Sequence, residues 1–252
     1  MSDLDPQRIA VFFDLDNLAL GVREADYPPF DVGLVLGRLL EKGNVIVKKA
    51  YADWERWSSY KRAFHEAAVE MTDIPRTGMS GKNSADIKMV VDAMELSYAK
   101  PHLDAFALIS GDSDFSPLVS KLRENGKYTI GMGVKKSTSR LLIGNCDEFV
   151  YYDDLVRQTG KSLPRLDQMP ELKREAFRQL IEAATALARD DRELHSSLVK
   201  DTMKRKQPQF NEEYYGYNSF SRLLEDAQRS GIVRLRKDER SGTYVIDEVL
   251  EG

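Results

Sequence analysis

The chain has 252 residues, of which 42% are hydrophobic and 31% charged, a composition typical of a folded globular protein rather than a disordered one. Its single cysteine, Cys146, excludes an intrachain disulfide framework, and no apolar run approaches the roughly 18 residues of a membrane span. The net charge of −4 means that any nucleic-acid binding has to use local basic patches. Because the first residues lack a signal-peptide pattern, we expect a cytoplasmic protein with no membrane partner.

Strand-like and helix-like segments alternate from residue 9 to about residue 155, which predicts an α/β fold with a mostly parallel sheet and flanking helices. The predicted strands are 9–14, 45–51, 105–110, 128–133 and 149–152, and the predicted helices are 31–42, 55–70, 85–98 and 115–125.

The segment 157–170 contains a glycine and two prolines without periodicity and is predicted to be a linker between a domain at 1–156 and a domain at 171–252. The second domain has the pattern of a winged helix-turn-helix, with three helices followed by a hairpin. These helices are predicted at 171–188, 196–206 and 218–230, and the hairpin strands at 232–236 and 243–246.

Acidic side chains follow two of the predicted buried strands. Asp14 and Asp16 come at the end of one strand, and Asp112 and Asp114 come just after another. The carboxyl ends of strands in an open α/β sheet border the ligand crevice, so these acids mark a candidate site. Clustered carboxylates without His or Cys favour a hard divalent cation, Mg²⁺ or Mn²⁺, and the implied substrate class is a phosphate ester.

Asp86 adds a third acid, in the first turn of a helix for which Ser84 is a natural N-cap. Asp92 lies about 240° further round this helix and is not expected to share the target of Asp86. Plainer roles stay open for the acids, since Asp86 suits a helix dipole and Asp114 or Ser113 suits a helix cap. An Asx turn is equally open at Asp16-Asn17, and Lys82 could be an ordinary solvated lysine. The aromatic residues Trp54, Trp57, Tyr60 and Phe64 have the spacing of a core-facing helix stripe.

Three segments, VFFDLDN, KNSADIKMVVDAM and LISGDSDFSPLVSKLRENG, together resemble the signature segments of NYN domains, which are PIN-like, metal-dependent ribonucleases. The resemblance covers about residues 8–153 and implies a Rossmann-like, PIN-like fold. It also implies that four acids hold Mg²⁺ or Mn²⁺, with two supporting polar groups, whereas Asp16 stands where many members carry another residue. The implied metal ligands are Asp14, Asp86, Asp112 and Asp114, and the supporting groups are Asn17 and Ser110.

The segments 195–210 and 215–224 resemble an OST-HTH, or LOTUS, domain, a winged-helix module associated with RNA binding. Two basic groups in this part of the chain are candidates for phosphate contacts, although a solvated helix end and a charged hairpin would look the same. With Lys82 of the first domain, the candidate RNA-binding residues are Lys204, Arg205, Lys206, Arg234, Arg236 and Lys237.

The predicted function is hydrolysis of RNA phosphodiester bonds by a metal-dependent endoribonuclease with a C-terminal RNA-binding module. Two alternatives stay open. One is an RNA-binding regulator whose NYN-like domain is catalytically silent. The other is a haloacid-dehalogenase-type phosphatase with Asp14 as nucleophile and Asp16 as acid/base. Against the phosphatase, Leu18 stands where that family usually has Thr or Val, and GDSDF leaves no room for its lysine motif.

Overall fold

The computed structural model describes residues 7–74, 84–158, 166, 169–190, 192–239 and 241–250. The chain divides into two compact units, Met1–Gly160 and Lys161–Gly252. Among the described residues, no helix is both long enough and apolar enough to cross a membrane.

The first unit is built on a parallel sheet of six strands in the order β3-β2-β1-β4-β5-β6. This confirms the predicted α/β class and the mostly parallel sheet. The strands are β1 Gln7–Asp14, β2 Gly43–Ala52, β3 Glu70–Asp73, β4 Ala105–Ile109, β5 Tyr128–Gly133 and β6 Glu148–Tyr151. The helices are α1 Leu15–Glu24, α2 Val32–Lys42, α3 Lys61–Glu66, α4 Ser84–Ala99, α5 Ser116–Glu124, α6 Arg140–Asn145 and α7 Tyr152–Gln158.

The continuous apolar run of β1 is explained by helices on both faces of the sheet. Val11 and Phe13 pack on one face with residues of α1, α2 and α7. Ala10 and Phe12 pack on the opposite face with residues of α4, α5 and α6. Because successive side chains of a strand alternate between the two faces, all of these side chains are removed from water.

The predicted helix at 55–70 is wrong over most of its length. The Asp53 carboxylate accepts hydrogen bonds from the backbone N–H groups of Glu55 and Arg56, both at 3.2 Å, and so holds a turn at the start of the segment. A 3-10 turn at Ser58–Tyr60 follows, and only Lys61–Glu66 is α-helical. The end of the segment begins β3, a four-residue strand that the sequence pattern did not predict.

Among its described residues, the second unit contains three helices and a three-stranded antiparallel sheet in the order β7-β9-β8. Leu166, within the predicted linker, is buried in the core of this unit, and α7 of the first unit continues to Gln158. The elements are α8 Glu171–Arg189, β7 Leu194–His195, α9 Ser196–Lys206, α10 Phe220–Arg229, β8 Val233–Lys237 and β9 Tyr244–Val249.

Candidate active site

The candidate site lies at the carboxyl ends of β1 and β4, in the middle of the parallel sheet. The strand order reverses between these two strands, and ligands of open α/β sheets bind at such a switch point. Phe13 is paired with Ile109 across the two strands, so the next residues, Asp14 and Ser110, leave the sheet side by side. The two acid-bearing segments of the sequence therefore meet, as their strand-end positions predicted.

Asp14 is the most buried of the predicted acids, with 6% of its surface exposed. It is the last residue of β1 and the N-cap of α1, where its Oδ1 accepts a hydrogen bond of 3.2 Å from the Asn17 N–H. Its Oδ2 accepts a hydrogen bond of 2.8 Å from the Ser110 hydroxyl. Burial raises the pKa of Asp14 to about 7 and the nearby charges of Asp86 and Asp16 add to the rise, while these two hydrogen bonds oppose it.

Asn17 and Ser110, which the family resemblance implies as supporting groups, connect the two strand ends through hydrogen bonds. The side-chain oxygen of Asn17 accepts a 2.9 Å hydrogen bond from the Gly111 N–H, and the Ser110 hydroxyl accepts one of 3.1 Å from the Asp112 N–H. Gly111 has to be glycine, because a Cβ there would lie 2.8 Å from the Ser137 carbonyl oxygen. The Asx turn left open at Asp16-Asn17 is not formed, because both residues belong to α1.

Asp114 lies on the short 3-10 turn Ser113–Phe115 that precedes α5, and Asp112 is the residue just before this turn. Asp112 is half-buried and caps this turn, with its Oδ1 accepting a hydrogen bond of 2.9 Å from the Asp114 N–H. Asp114 is exposed. The alternative left open, that Asp114 or Ser113 caps the α-helix, is not met because the 3-10 turn moves the start of the α-helix past both residues.

Asp86 and Asp92 lie on α4 but have different surroundings, as the helical period predicted. Asp86 is half-buried in the first turn, and its charge acts on Asp14. Asp92 is buried and accepts hydrogen bonds from the Tyr51 hydroxyl at 2.7 Å and the Lys88 ammonium group at 2.5 Å. The candidate Lys82 lies outside the described residues.

Asp16 is held by two residues of the turn that follows β2. Its Oδ1 accepts a hydrogen bond of 2.8 Å from the Trp57 indole N–H and lies 3.5 Å from an Arg56 guanidinium nitrogen. The phosphatase alternative needs this carboxylate as an acid/base. The contacts with Trp57 and Arg56 instead assign it to holding the turn, so the structure gives that alternative no support.

The contact between Trp57 and Asp16 was not predicted from the sequence. Trp54 and Phe64 are buried as the predicted core stripe requires, and the half-buried Trp57 and Tyr60 pack against the same core. Trp57 also reaches the candidate site through its contact with Asp16. The signal available in the sequence was its position just after the strand that neighbours β1.

The donor set of the site suits a hard divalent cation, since it consists of carboxylate oxygens, hydroxyls and backbone groups. A cation beside Asp14 would relieve the unfavourable burial of this carboxylate, which is reflected in its raised pKa. Within the described ranges, no group of three or more His, Cys, Asp or Glu side chains is placed to hold a metal ion. The arrangement fits Mg²⁺, which proteins often hold through one or two carboxylates plus water and substrate phosphates.

The candidate RNA-binding residues of the second unit differ in their surroundings. Lys204 is exposed in the last turn of α9, whereas the Arg205 guanidinium donates a hydrogen bond of 2.7 Å to the Thr202 hydroxyl. Lys206 lies in the same turn and is half-buried. On the hairpin, Arg234 pairs with Glu248 at 2.9 Å, Arg236 pairs with Asp247 at 2.8 Å and with Glu193, and the Lys237 ammonium group lies over the Tyr244 ring.

Residues 8–153 match the model of the NYN domain, and the chain belongs to this family, which is part of the PIN-like nuclease superfamily. The chain is 30% identical over 104 residues to "Uncharacterized protein MJ0482" of Methanocaldococcus jannaschii, and the match covers 41% of this chain and 40% of that protein. It also resembles the crystal structure of a protein of unknown function, VPA0982, from Vibrio parahaemolyticus. That match has a TM-score of 0.54 and 28% identity, and it covers 62% of this chain and 99% of the other.

Proposed function

We propose that the chain is an endoribonuclease that hydrolyses RNA phosphodiester bonds with Mg²⁺ or Mn²⁺. The main support is Asp14, a buried carboxylate at the topological switch point whose pKa is raised to about 7. A buried acid that is costly to ionise is stabilised by a cation, and its position at this crevice puts that cation where a substrate would bind. Membership of the NYN family supports a nuclease.

In this proposal, Asp14, Asp86, Asp112 and Asp114 would hold the cation. The cation, when bound, would supply an activated water and offset the charge that develops on the leaving oxygen. Ser110 fixes the orientation of the Asp14 carboxylate through its 2.8 Å hydrogen bond. Asn17 holds the Gly111 backbone, and with it the loop that carries Asp112, against the start of α1.

The proposal gives residues 171–252 the role of an OST-HTH-like RNA-binding module, joined to the nuclease domain at 1–156 by the segment 157–170. An acidic site repels a phosphate backbone in the absence of its cation, so a second RNA contact would supply affinity. The helices α8, α9 and α10 with their antiparallel sheet suit a winged helix, and Lys204 is an exposed basic candidate at the end of α9. Lys82, Arg205 and Lys206 with the hairpin residues complete the proposed RNA contacts, and the proposed location is cytoplasmic.

The test is cleavage of a single-stranded RNA by the purified chain in Mn²⁺, in Mg²⁺ and in excess chelator, with Asp112→Asn beside it. We expect metal-dependent cleavage by the wild type. In Asp112→Asn the cleavage rate should be at least about 100-fold lower, because asparagine keeps the cap and removes the charge. Asp112→Asn activity equal to wild type would remove Asp112 from the site. RNA binding without cleavage under either metal would favour the silent regulator instead.

A further inference from the structure

Arg56 and Trp57 form a stacked pair beside the candidate active site. The Arg56 guanidinium carbon lies 4.8 Å from the centre of the Trp57 ring, a cation–π distance. Both side chains contact Oδ1 of Asp16, which lies in the first turn of α1, two residues after Asp14. The side chain of Arg56 is 37% exposed, whereas Trp57 is half-buried behind it.

Hydrogen bonds hold the turn that carries this pair at the active-site edge of the sheet. It follows β2, which pairs with β1 in a register that sets Tyr51 opposite Asp14. The carbonyl of Asp53 accepts a hydrogen bond of 3.1 Å from the Trp57 N–H, and the Asp53 carboxylate accepts one from the Arg56 N–H. The pair is thus fixed before any ligand arrives, which lowers the entropy cost of binding.

Arg56 is also unsuited to act mainly as a phosphate anchor. Its charge is offset by Asp16, which lies 3.5 Å away and itself adds negative potential near Asp14. The indole covers one face of the guanidinium group. A planar group with its charge offset and one face backed by an aromatic ring is a surface of the kind on which unstacked RNA bases stack.

We propose that Arg56, backed by Trp57, is a nucleobase-stacking subsite that binds one unpaired base of a single-stranded RNA next to the cleavage site. This inference rests on the proposed function, because it takes RNA as the substrate. Since stacking uses the face common to all four bases, the subsite positions the strand without selecting a sequence. The subsite would favour single-stranded RNA, whose bases are available for stacking.

The test measures affinity for a single-stranded RNA of about 12 nucleotides by fluorescence anisotropy, in the Asp112→Asn background with excess chelator. Arg56→Ala should weaken binding by roughly 10-fold, and Arg56→Lys, which keeps the charge but not the planar group, should weaken it similarly. Arg62→Ala is the matched control. Arg62 is 88% exposed on α3, pairs with Glu66 and stacks on no described ring, so its loss should change affinity less than about two-fold.

An abasic oligomer of the same length separates stacking from charge, since it keeps the phosphates and lacks the bases. The Arg56 variants should bind it as their parent does. The subsite is overturned if Arg56→Lys binds the normal RNA as tightly as the parent, or if the variants lose equal affinity for both oligomers. In either case, metal-dependent cleavage by the wild type would leave the nuclease proposal standing. Base-dependent binding that the Arg56 variants lose, without cleavage by the wild type under either metal, would keep the stacking site and overturn the nuclease proposal. Absence of RNA binding by the parent in chelator would overturn the subsite, and cleavage by the wild type in Mn²⁺ would still decide the nuclease proposal.

Discussion

Asp14 and Asp92 are two buried aspartates of the same unit, each with 6% of its surface exposed, in opposite electrostatic surroundings. Burial acts to raise the pKa of both. Around Asp92, hydrogen bonds from Lys88 and Tyr51 and the charge of Lys49 outweigh that effect and lower the pKa. Around Asp14, neutral donors are opposed by the neighbouring acids Asp86 and Asp16, and the pKa rises.

This difference indicates which of the two buried aspartates needs a bound ligand to compensate its charge. The charge of Asp92 is compensated by lysines of the fold itself, so its role is complete in the folded protein. No basic side chain is among the described groups that shift the pKa of Asp14, so its charge is not compensated in the same way. A fold that buries such a carboxylate at a strand-end crevice is suited to a ligand that compensates the negative charge. The comparison therefore predicts opposite behaviour of the two residues in activity, stability and pH dependence.

The largest expected difference is in catalysis. Asp14→Asn should lower the rate of RNA cleavage in Mn²⁺ by at least about 100-fold, because it removes the proposed metal-holding charge. At temperatures below the melting temperature of the variant, the cleavage rate of Asp92→Asn should stay within about three-fold of the wild-type rate. Asp92 contacts Tyr51 and Lys88 instead of the site. Initial rates on one single-stranded RNA check both variants. A larger loss in Asp92→Asn than in Asp14→Asn would reverse the assignment.

The second expected difference is in the stability of the metal-free protein, where the two variants should change it in opposite directions. At about pH 8, Asp14→Asn should stabilise the fold by up to about 4 kcal/mol, because a pKa of about 7 against an ordinary 3.8 makes ionised Asp14 that costly. Asp92→Asn should destabilise it by about 2 kcal/mol, a value reduced for the exposure of Lys88.

Urea unfolding of the metal-free forms measures both changes. Mg²⁺ supplies the control, since it should stabilise wild type and Asp92→Asn and leave Asp14→Asn unchanged. If Mg²⁺ stabilised Asp14→Asn as much as wild type, Asp14 would not hold the cation.

The pH dependence of stability sharpens the same comparison. The folded-state pKa of Asp14 lies above its unfolded value, so its contribution to stability is fully present below about pH 4 and is lost as the pH rises towards about 7. In that window the metal-free wild type should lose about 1.4 kcal/mol per pH unit relative to Asp14→Asn. Asp92 has a lowered pKa, so its contribution is present above about pH 4 and is lost in more acidic solution.

Urea midpoints of wild type and both variants across this range give the two profiles. A constant difference between wild type and Asp14→Asn from about pH 4 to about pH 8 would show that Asp14 ionises normally.

The features of the site that follow from individual β-strands could be predicted from the sequence, whereas side-chain contacts between segments far apart in the chain could not. The apolar run ending in Asp14 and the one before Ser110 each indicate a buried strand, and their shared edge follows from the parallel sheet. The helix α1 was missed because it begins directly after β1, with Asp14 ending the strand and capping the helix at once. No breaker residue separates the two elements there.

The contact between Asp16 and Trp57 shows the limit most clearly. These residues are 41 positions apart, and their approach depends on the register of β2 beside β1 and on the turn held by Asp53. Neither feature appears in hydrophobic periodicity, which treated Trp57 as part of a helix stripe. The capping role of Asp112 was missed for a related reason, because a 3-10 turn and an α-helix share the same start signals.

The smallest expected effects come from two matched hydroxyl deletions, one on each buried aspartate. Ser110→Ala removes the donor to Asp14 and should lower the cleavage rate by roughly 10-fold, since supporting groups of a metal site are worth about 10- to 100-fold. Tyr51→Phe removes the donor to Asp92 and should cost about 1 kcal/mol of stability while leaving the cleavage rate unchanged.

Cleavage rates and urea unfolding of the two variants, measured side by side, separate the roles of the hydroxyls. The two hydroxyls are comparable, because each donates one short hydrogen bond to a buried carboxylate, at 2.8 Å for Ser110 and 2.7 Å for Tyr51. They differ in the carboxylate that accepts the bond, which is Asp14 for Ser110 and Asp92 for Tyr51. If Tyr51→Phe slowed cleavage as much as Ser110→Ala, Asp92 would support cleavage as much as Asp14 does. The electrostatic surroundings of the two carboxylates would then not distinguish the acid of the active site from the structural one.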